Sequence, residues 1–159
     1  LNCTHEQCLE EIYLDYGGSL HNFRIMEKVD YSLLNSRQKE TFNFQKVSAI
    51  LADYGYGTIK LNDDWNGADF LAQHIDGTHL KVQLKSRLTF DKKYAAKDIY
   101  ISFPYKNEWY LFPHDELLET FLEKFSNKMA VSNSWKNRGA YSWNRLSKEI
   151  LSLIDYYRL

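Results

Sequence analysis

The chain has 159 residues, 44% of them apolar and 26% charged, with a formal net charge of −1. That size and apolar share suit one domain with its own core over residues 1–159, and the near-neutral balance excludes a broad basic surface of the histone kind. No apolar run reaches membrane-spanning length and no basic start leads into an apolar signal core, so the expectation is a soluble, cytoplasmic protein without a membrane partner.

Residues 1–35 read as an N-terminal helical extension. They begin at Leu1 where a full chain has methionine, as a trimmed fragment does, and carry six carboxylates against Arg24 and Lys28. Cys3 and Cys8 are too few for a disulfide framework. With His5 and His21 they match no zinc-module spacing, and a short amphipathic terminal helix accounts for them.

Residues 36–54 place Phe44, Val47, Leu51 and Tyr54 at helical spacing, with Ile50 widening the stripe. Asn35 or Ser36 supplies an N-cap, and Gly55 stands where a left-handed stop is wanted. One turn before Phe44, Glu40 lies on the same helix face at the open end of the stripe.

Strands are predicted at 58–63 (TIKLND), 68–75 (ADFLAQHI) and 80–88 (LKVQLKSRL), separated by the turn signals Asn66-Gly67 and Asp76-Gly77. Asp63 and Asp64 suit the turn that ends the first strand, with extra metal ligation as the alternative. Residues 89–98 (TFDKKYAAKD) read as a loop or a weak helix. IYISF (99–103) and WYLF (109–112) are two further strands joined through 104–108. PHDELLETFLEKFSNKM (113–129) is a helix with Pro113 ahead of it and Asp115 as its cap, although His114 and Asp115 also read as an acid–base pair. The loop at 132–141 and the residues just after it interleave Trp135, Tyr141 and Trp143 with Lys136, Arg138 and Arg145. They suit either base stacking with phosphate contacts or a docked loop with solvated cations. A last amphipathic helix is expected over 144–157. The sum is an α/β domain with a central mixed β-sheet flanked by helices.

The third strand carries the chemistry. Its even positions are Leu80, Val82, Leu84, Ser86 and Leu88, mostly apolar, and its odd ones are Lys81, Gln83, Lys85 and Arg87, so the polar face holds three cations around one glutamine. Residues 81–97 contain six cations and one carboxylate, which suits an anionic partner such as a phosphate backbone. A three-residue turn at 75–77 with Gly77 left-handed pairs His74 with Thr78, and hence Asp69 with Gln83. This register also groups Ala68, Phe70 and Ala72 with Leu80, Val82 and Leu84 on one apolar face. Asp69, Gln83 and Lys85 then share the other, and Glu40 joins them if its helix covers that face.

Glu40 on a first helix, "GADF" with Asp69 and "VQLKSR" with Gln83 and Lys85 together resemble the PD-(D/E)xK nuclease superfamily, in a QxK variant. The resemblance spans residues 36–115, with helices over 116–159 following. It implies a restriction-endonuclease-like fold and a metal-dependent endonuclease cutting DNA, in defence or mobile-element biology. The chain departs from the pattern in lacking a proline before Asp69, in having glutamine for the second acid, and in a reduced helix between the third and fourth strands. By resemblance, Asp69, the Gln83 amide oxygen and the Leu84 carbonyl hold Mg²⁺, with Mn²⁺ able to substitute, and Glu40 binds it through water. Lys85 orients or deprotonates the attacking water. Lys81, Arg87, Lys92, Lys93, Lys97, Trp135, Lys136 and Arg138 are the candidate DNA contacts, and a double-strand cut is simplest for a homodimer. The alternatives are a catalytically lapsed nucleic-acid-binding or regulatory module, which Gln83 favours, and a partner-binding protein with no nucleic-acid role, which the near-neutral charge favours.

Overall fold

The structure, a computed structural model, describes residues 26–159, the side chains of Asp64 and Trp65 excepted. The cysteine–histidine group, the terminal helix expected around it and the Asp64 carboxylate lie outside the described residues. The chain divides into two compact units, Leu1–Leu33 and Leu34–Leu159. The described end of the first closes with a 3-10 turn, Tyr31–Leu33, in which the Asp30 carboxylate accepts from the Ser32 N–H at 2.8 Å.

The second unit opens with helix α1 (Ser36–Asp53). Asn35 accepts from the Gln38 N–H while the Gln38 side chain accepts from the Asn35 N–H, so two otherwise orphaned donors are satisfied. The helix stops where Gly55 takes φ +80°, as its sequence position predicts. There follow β1 (Tyr56–Trp65), β2 (Ala68–His74), β3 (His79–Leu84), the short β4 (Thr89–Asp91), β5 (Ile99–Tyr105) and β6 (Glu108–Pro113). Helix α2 (His114–Phe125), a π-helical turn at Ser134–Arg138, β7 (Ala140–Ser142) and helix α3 (Lys148–Ile154) complete the chain.

The architecture is a mixed α/β one. Five strands form the central sheet in the order β1-β2-β3-β5-β6, with β3 and β5 parallel and every other neighbour antiparallel, while β4 and β7 pair as a separate ribbon. A parallel pair needs a crossover, and here residues 85–98 supply it without an α-helix. Asp91 instead caps a 3-10 turn, Lys92–Tyr94, through the Lys93 N–H, and Ala96 and Asp98 then adopt positive φ, which a helix cannot continue.

Each sheet face has its own core. On one, Val47 and Leu51 of α1 pack on Phe70, Ala72 and Val82, with Trp109 beside them. On the other, Ile99, Ile101, Phe103 and Phe112 meet Leu117 and Phe121 of α2, Ile150 and Ile154 of α3, and Phe90 and Trp143. Each fully buried Phe there contributes about 2–3 kcal/mol.

Some expected boundaries shift. Ala68 belongs to the second core rather than to the Phe70 face, because the β1–β2 register slips between Lys60 and Trp65 and twists the start of β2. Pro104 sits inside β5 opposite Trp109, and the hairpin turn is confined to Lys106, at φ +57°, and Asn107. The second helix ends at Phe125 rather than at 129, and the last begins only after Ser147, whose hydroxyl accepts from the Ile150 N–H. No described helix is long and apolar enough to cross a membrane.

Candidate active site

The β2–β3 hairpin turns with the expected register: the His74 N–H donates to the Thr78 carbonyl at 2.8 Å, Gly77 has φ +93°, and Phe70 opposes Val82. One step further along, Asp69 and Gln83 come opposite each other. Regular continuation of the ladder would send the Leu84 N–H to the Ala68 carbonyl. The Asp69 carboxylate takes it instead, with Oδ2 accepting from the Leu84 N–H at 2.8 Å and from Gln83 Nε2. That same Nε2 lies 3.3 Å from the Leu84 carbonyl oxygen, so the amide sits between a carboxylate and a carbonyl. Gln83 is only 8% exposed, whereas Asp69 is half-buried.

Lys85 follows directly. Its N–H donates to the Ser102 carbonyl at 2.8 Å, extending the parallel pairing one residue beyond β3, and its Nζ donates to the Tyr94 hydroxyl at 2.7 Å. Tyr94 was not singled out by the sequence. Its neighbours Lys92 and Lys93 suggest an exposed turn, and the only local signal against that is Asp91 capping two residues ahead.

Glu40 does not join this group. Helix α1 covers the opposite, apolar face, where the Phe44 and Phe70 rings meet edge-on at 5.3 Å, and Glu40 instead pairs with Lys60 of β1 at 3.0 Å. The apolar stripe that carries Glu40 packs where apolar surface is available, and that is not the Asp69 face.

The candidate DNA contacts divide. Lys81 is held at Asp98, 3.4 Å away, and donates to the Lys97 carbonyl; Arg87 donates to Asn144. Trp135 and Trp143 are 7% and 9% exposed, so they cannot offer a face to a base, and the stacking reading of Trp135 is corrected accordingly. Trp143 is packed edge-on against Phe90 and Phe121, while Trp135 has the Lys92 ammonium 5.0 Å from its ring centroid. Lys92, Lys93, Lys136, Arg138 and Arg145 are exposed. Pairing of β4 with β7 brings the basic segment after Asp91 against the one before Ala140, with the Lys92 N–H donating to the Gly139 carbonyl at 2.8 Å.

The His114 and Asp115 pair is a clamp rather than a helix cap. His114 is buried, its Nδ1 lies 2.7 Å from Asp115 Oδ1, and its Nε2 accepts from the Asp91 N–H at 3.3 Å. Asp115 Oδ2 accepts from the Ala96 N–H at 2.8 Å, so the pair grips both ends of the segment that carries Tyr94.

Among the described residues, no three His, Cys, Asp or Glu side chains converge as a metal site. The oxygens at hand are the Asp69 carboxylate, the Leu84 carbonyl and, after rotation of its amide, Gln83 Oε1. This all-oxygen set with one negative charge fits a hard divalent cation that keeps most of its waters.

No family model matches the chain, and no curated protein matches it. Among solved structures it is similar to a bacterial homing endonuclease, I-Ssp6803I, at 18% sequence identity and a TM-score of 0.41, over 53% of this chain and 69% of that one.

Proposed function

We propose that the chain is a Mg²⁺-dependent endonuclease that hydrolyses DNA phosphodiester bonds at Asp69, Gln83, Leu84 and Lys85. The observation that carries this reading is the Asp69 carboxylate bonded to the Gln83 amide and the Leu84 N–H, with Lys85 next along the chain. The resemblance of that residue pattern to the PD-(D/E)xK superfamily supports it.

The bound cation supplies charge neutralisation at the phosphate and a more acidic water. Asp69 gives the anionic oxygen that holds it. Gln83 would hold it through the amide oxygen, after a rotation that exchanges two groups of nearly equal size, and the Leu84 carbonyl would complete the protein's share. Lys85 orients the attacking water and stabilises the negative charge that grows on the phosphate oxygens. Water adds to phosphorus and gives up a proton to solvent, the bond to one sugar oxygen breaks, and that oxygen leaves with a proton taken from solvent. Lys92, Lys93, Lys97, Lys136 and Arg138 hold the backbone to either side, a contact that weakens with salt.

A second reading rests on the same contacts. The Gln83 side-chain amide and the Leu84 backbone N–H already donate to the Asp69 carboxylate, as they would in a nuclease-fold module that binds nucleic acid without cutting it. Incubation of purified protein with plasmid and branched DNA in Mg²⁺ or Mn²⁺ separates the two. Cutting by wild type that Lys85→Ala abolishes, a loss of about 10²–10³ for one group that stabilises charge in the transition state, supports the enzyme. Wild type inert on every DNA form with both metals refutes it, and salt-sensitive binding unaffected by Asp69→Asn then supports the module.

A further inference from the structure

We infer that Tyr94 is a positioning residue for Lys85, holding the ammonium beside the Asp69 and Gln83 pair; the inference rests on the hydrolytic reading above. A lysine side chain has four rotatable bonds and loses about 2 kcal/mol of rotamer freedom when it is fixed, so a lysine that must meet a water at one place needs an anchor. Tyr94 provides one: its hydroxyl accepts from Lys85 Nζ at 2.7 Å, and the same ammonium lies 5.0 Å from the centre of its ring.

The anchor is itself enclosed. Tyr94 is 1% exposed. Its ring occupies the space left by the missing side chain of Gly67, where a Cβ would stand 2.9 Å from Cδ1. On another side it meets the His114 ring edge-on at 5.7 Å. Bonds from the Asp91 and Ala96 N–H groups to His114 and Asp115 then pin the backbone before and after it to the start of α2. Gly67 stands two residues ahead of Asp69, so one ring touches the turn that delivers the carboxylate and the lysine that works beside it. A group held on every side by packing and hydrogen bonds gives the placement that a positioned charge requires.

Tyr94→Phe keeps the ring and its packing and removes only the hydroxyl. Plasmid cleavage in Mg²⁺ is expected to lose about tenfold in kcat, the worth of one hydrogen bond to a charged group. KM for DNA and the Mg²⁺ midpoint should stay at their wild-type values, with the unfolding temperature within a few degrees. An unchanged kcat, or a loss that appears in KM or in the Mg²⁺ midpoint instead, overturns the inference and leaves the nuclease reading standing. Wild type inert on DNA with either metal takes both down together.

Discussion

Gln83→Glu tests the arrangement at Asp69 most directly, because it exchanges the donating amide for a second carboxylate without changing the size of the side chain. In the native chain Gln83 Nε2 donates to Asp69 Oδ2, and burial at 8% exposure leaves the side chain little room to swing into water. The substitution removes a hydrogen bond to a charged group, about 1.5–3 kcal/mol. It also sets two negative charges in contact, about 4 kcal/mol at 4 Å for an effective dielectric constant of 20. Taking up a proton relieves part of the repulsion, so the net loss at neutral pH is about 3 kcal/mol, or about 10 °C in Tm for a domain of this size. The introduced carboxyl titrates above the ordinary glutamate range, so the folded state holds its proton more tightly than the unfolded chain does. The defect is therefore small below the ordinary range and grows as pH rises through the raised value. Thermal unfolding followed by circular dichroism in EDTA, at pH 7 and again near pH 4, reads both effects. Excess Mg²⁺ at pH 7 should return about 2.7 kcal/mol at one hundred times Kd, more than wild type gains at the same Mg²⁺ concentration with Asp69 as the carboxylate there among the described residues. A variant that unfolds with wild type in EDTA at pH 7 would falsify the contact between Gln83 and Asp69.

Two further substitutions probe how the site is held and how the hairpin is closed. Gly67→Ala should lower stability by about 2–3 kcal/mol, since φ is +102° and the added Cβ meets buried Tyr94 at 2.9 Å; a Tm within 2 °C of wild type would mean that the ring yields. The Asp76 carboxyl is lowered from 3.8 to about 2, chiefly by the Thr78 N–H, then by the Thr78 hydroxyl and His74. Its stabilisation is present above the ordinary value and is lost as pH falls toward about 2, so Asp76→Ala should flatten the fall of Tm between about pH 4 and pH 2. An acid limb as steep as that of wild type would count against a role for this carboxylate in closing the turn.

The register of the central hairpin was legible because a single local choice sets it. A left-handed Gly77 makes a three-residue turn, and the alternation on either side admits no other apolar face. The placement of Glu40 misled for a reason that the sequence already contained. Its helix stripe, Phe44, Val47 and Leu51, is apolar and buries against Phe70, Ala72 and Val82, while Asp69 and Gln83 point to the other side of the same strands. A carboxylate on that stripe cannot reach the polar face unless the helix abandons its core. The burial of Trp135 and Trp143 agrees with the docked-loop alternative, but what brings it about, like the burial of Tyr94, was beyond reach for a different reason. Their burial depends on pairing of β4 with β7 and on packing against α2, contacts between segments far apart in the chain that no local periodicity encodes.

Placing Glu40 on the far face changes what the site can do. With it gone, Asp69 is the one carboxylate in the Asp69–Gln83–Lys85 group, and the other oxygens there belong to an amide and a peptide carbonyl. Under the proposed reading, neutral oxygens would bind Mg²⁺ weakly and would leave the charge on a bound phosphate to be met by Lys85 and the exposed lysines. Two of the cations around Gln83 are met within the protein, Lys81 by Asp98 and Arg87 by Asn144, which is how the polar face of β3 tolerates them. The loss of Glu40 from the site also makes the orientation of one amide decisive. With N–H toward Asp69 the carboxylate is satisfied within the protein, and with its oxygen inward the same side chain would, under the proposed reading, become a ligand.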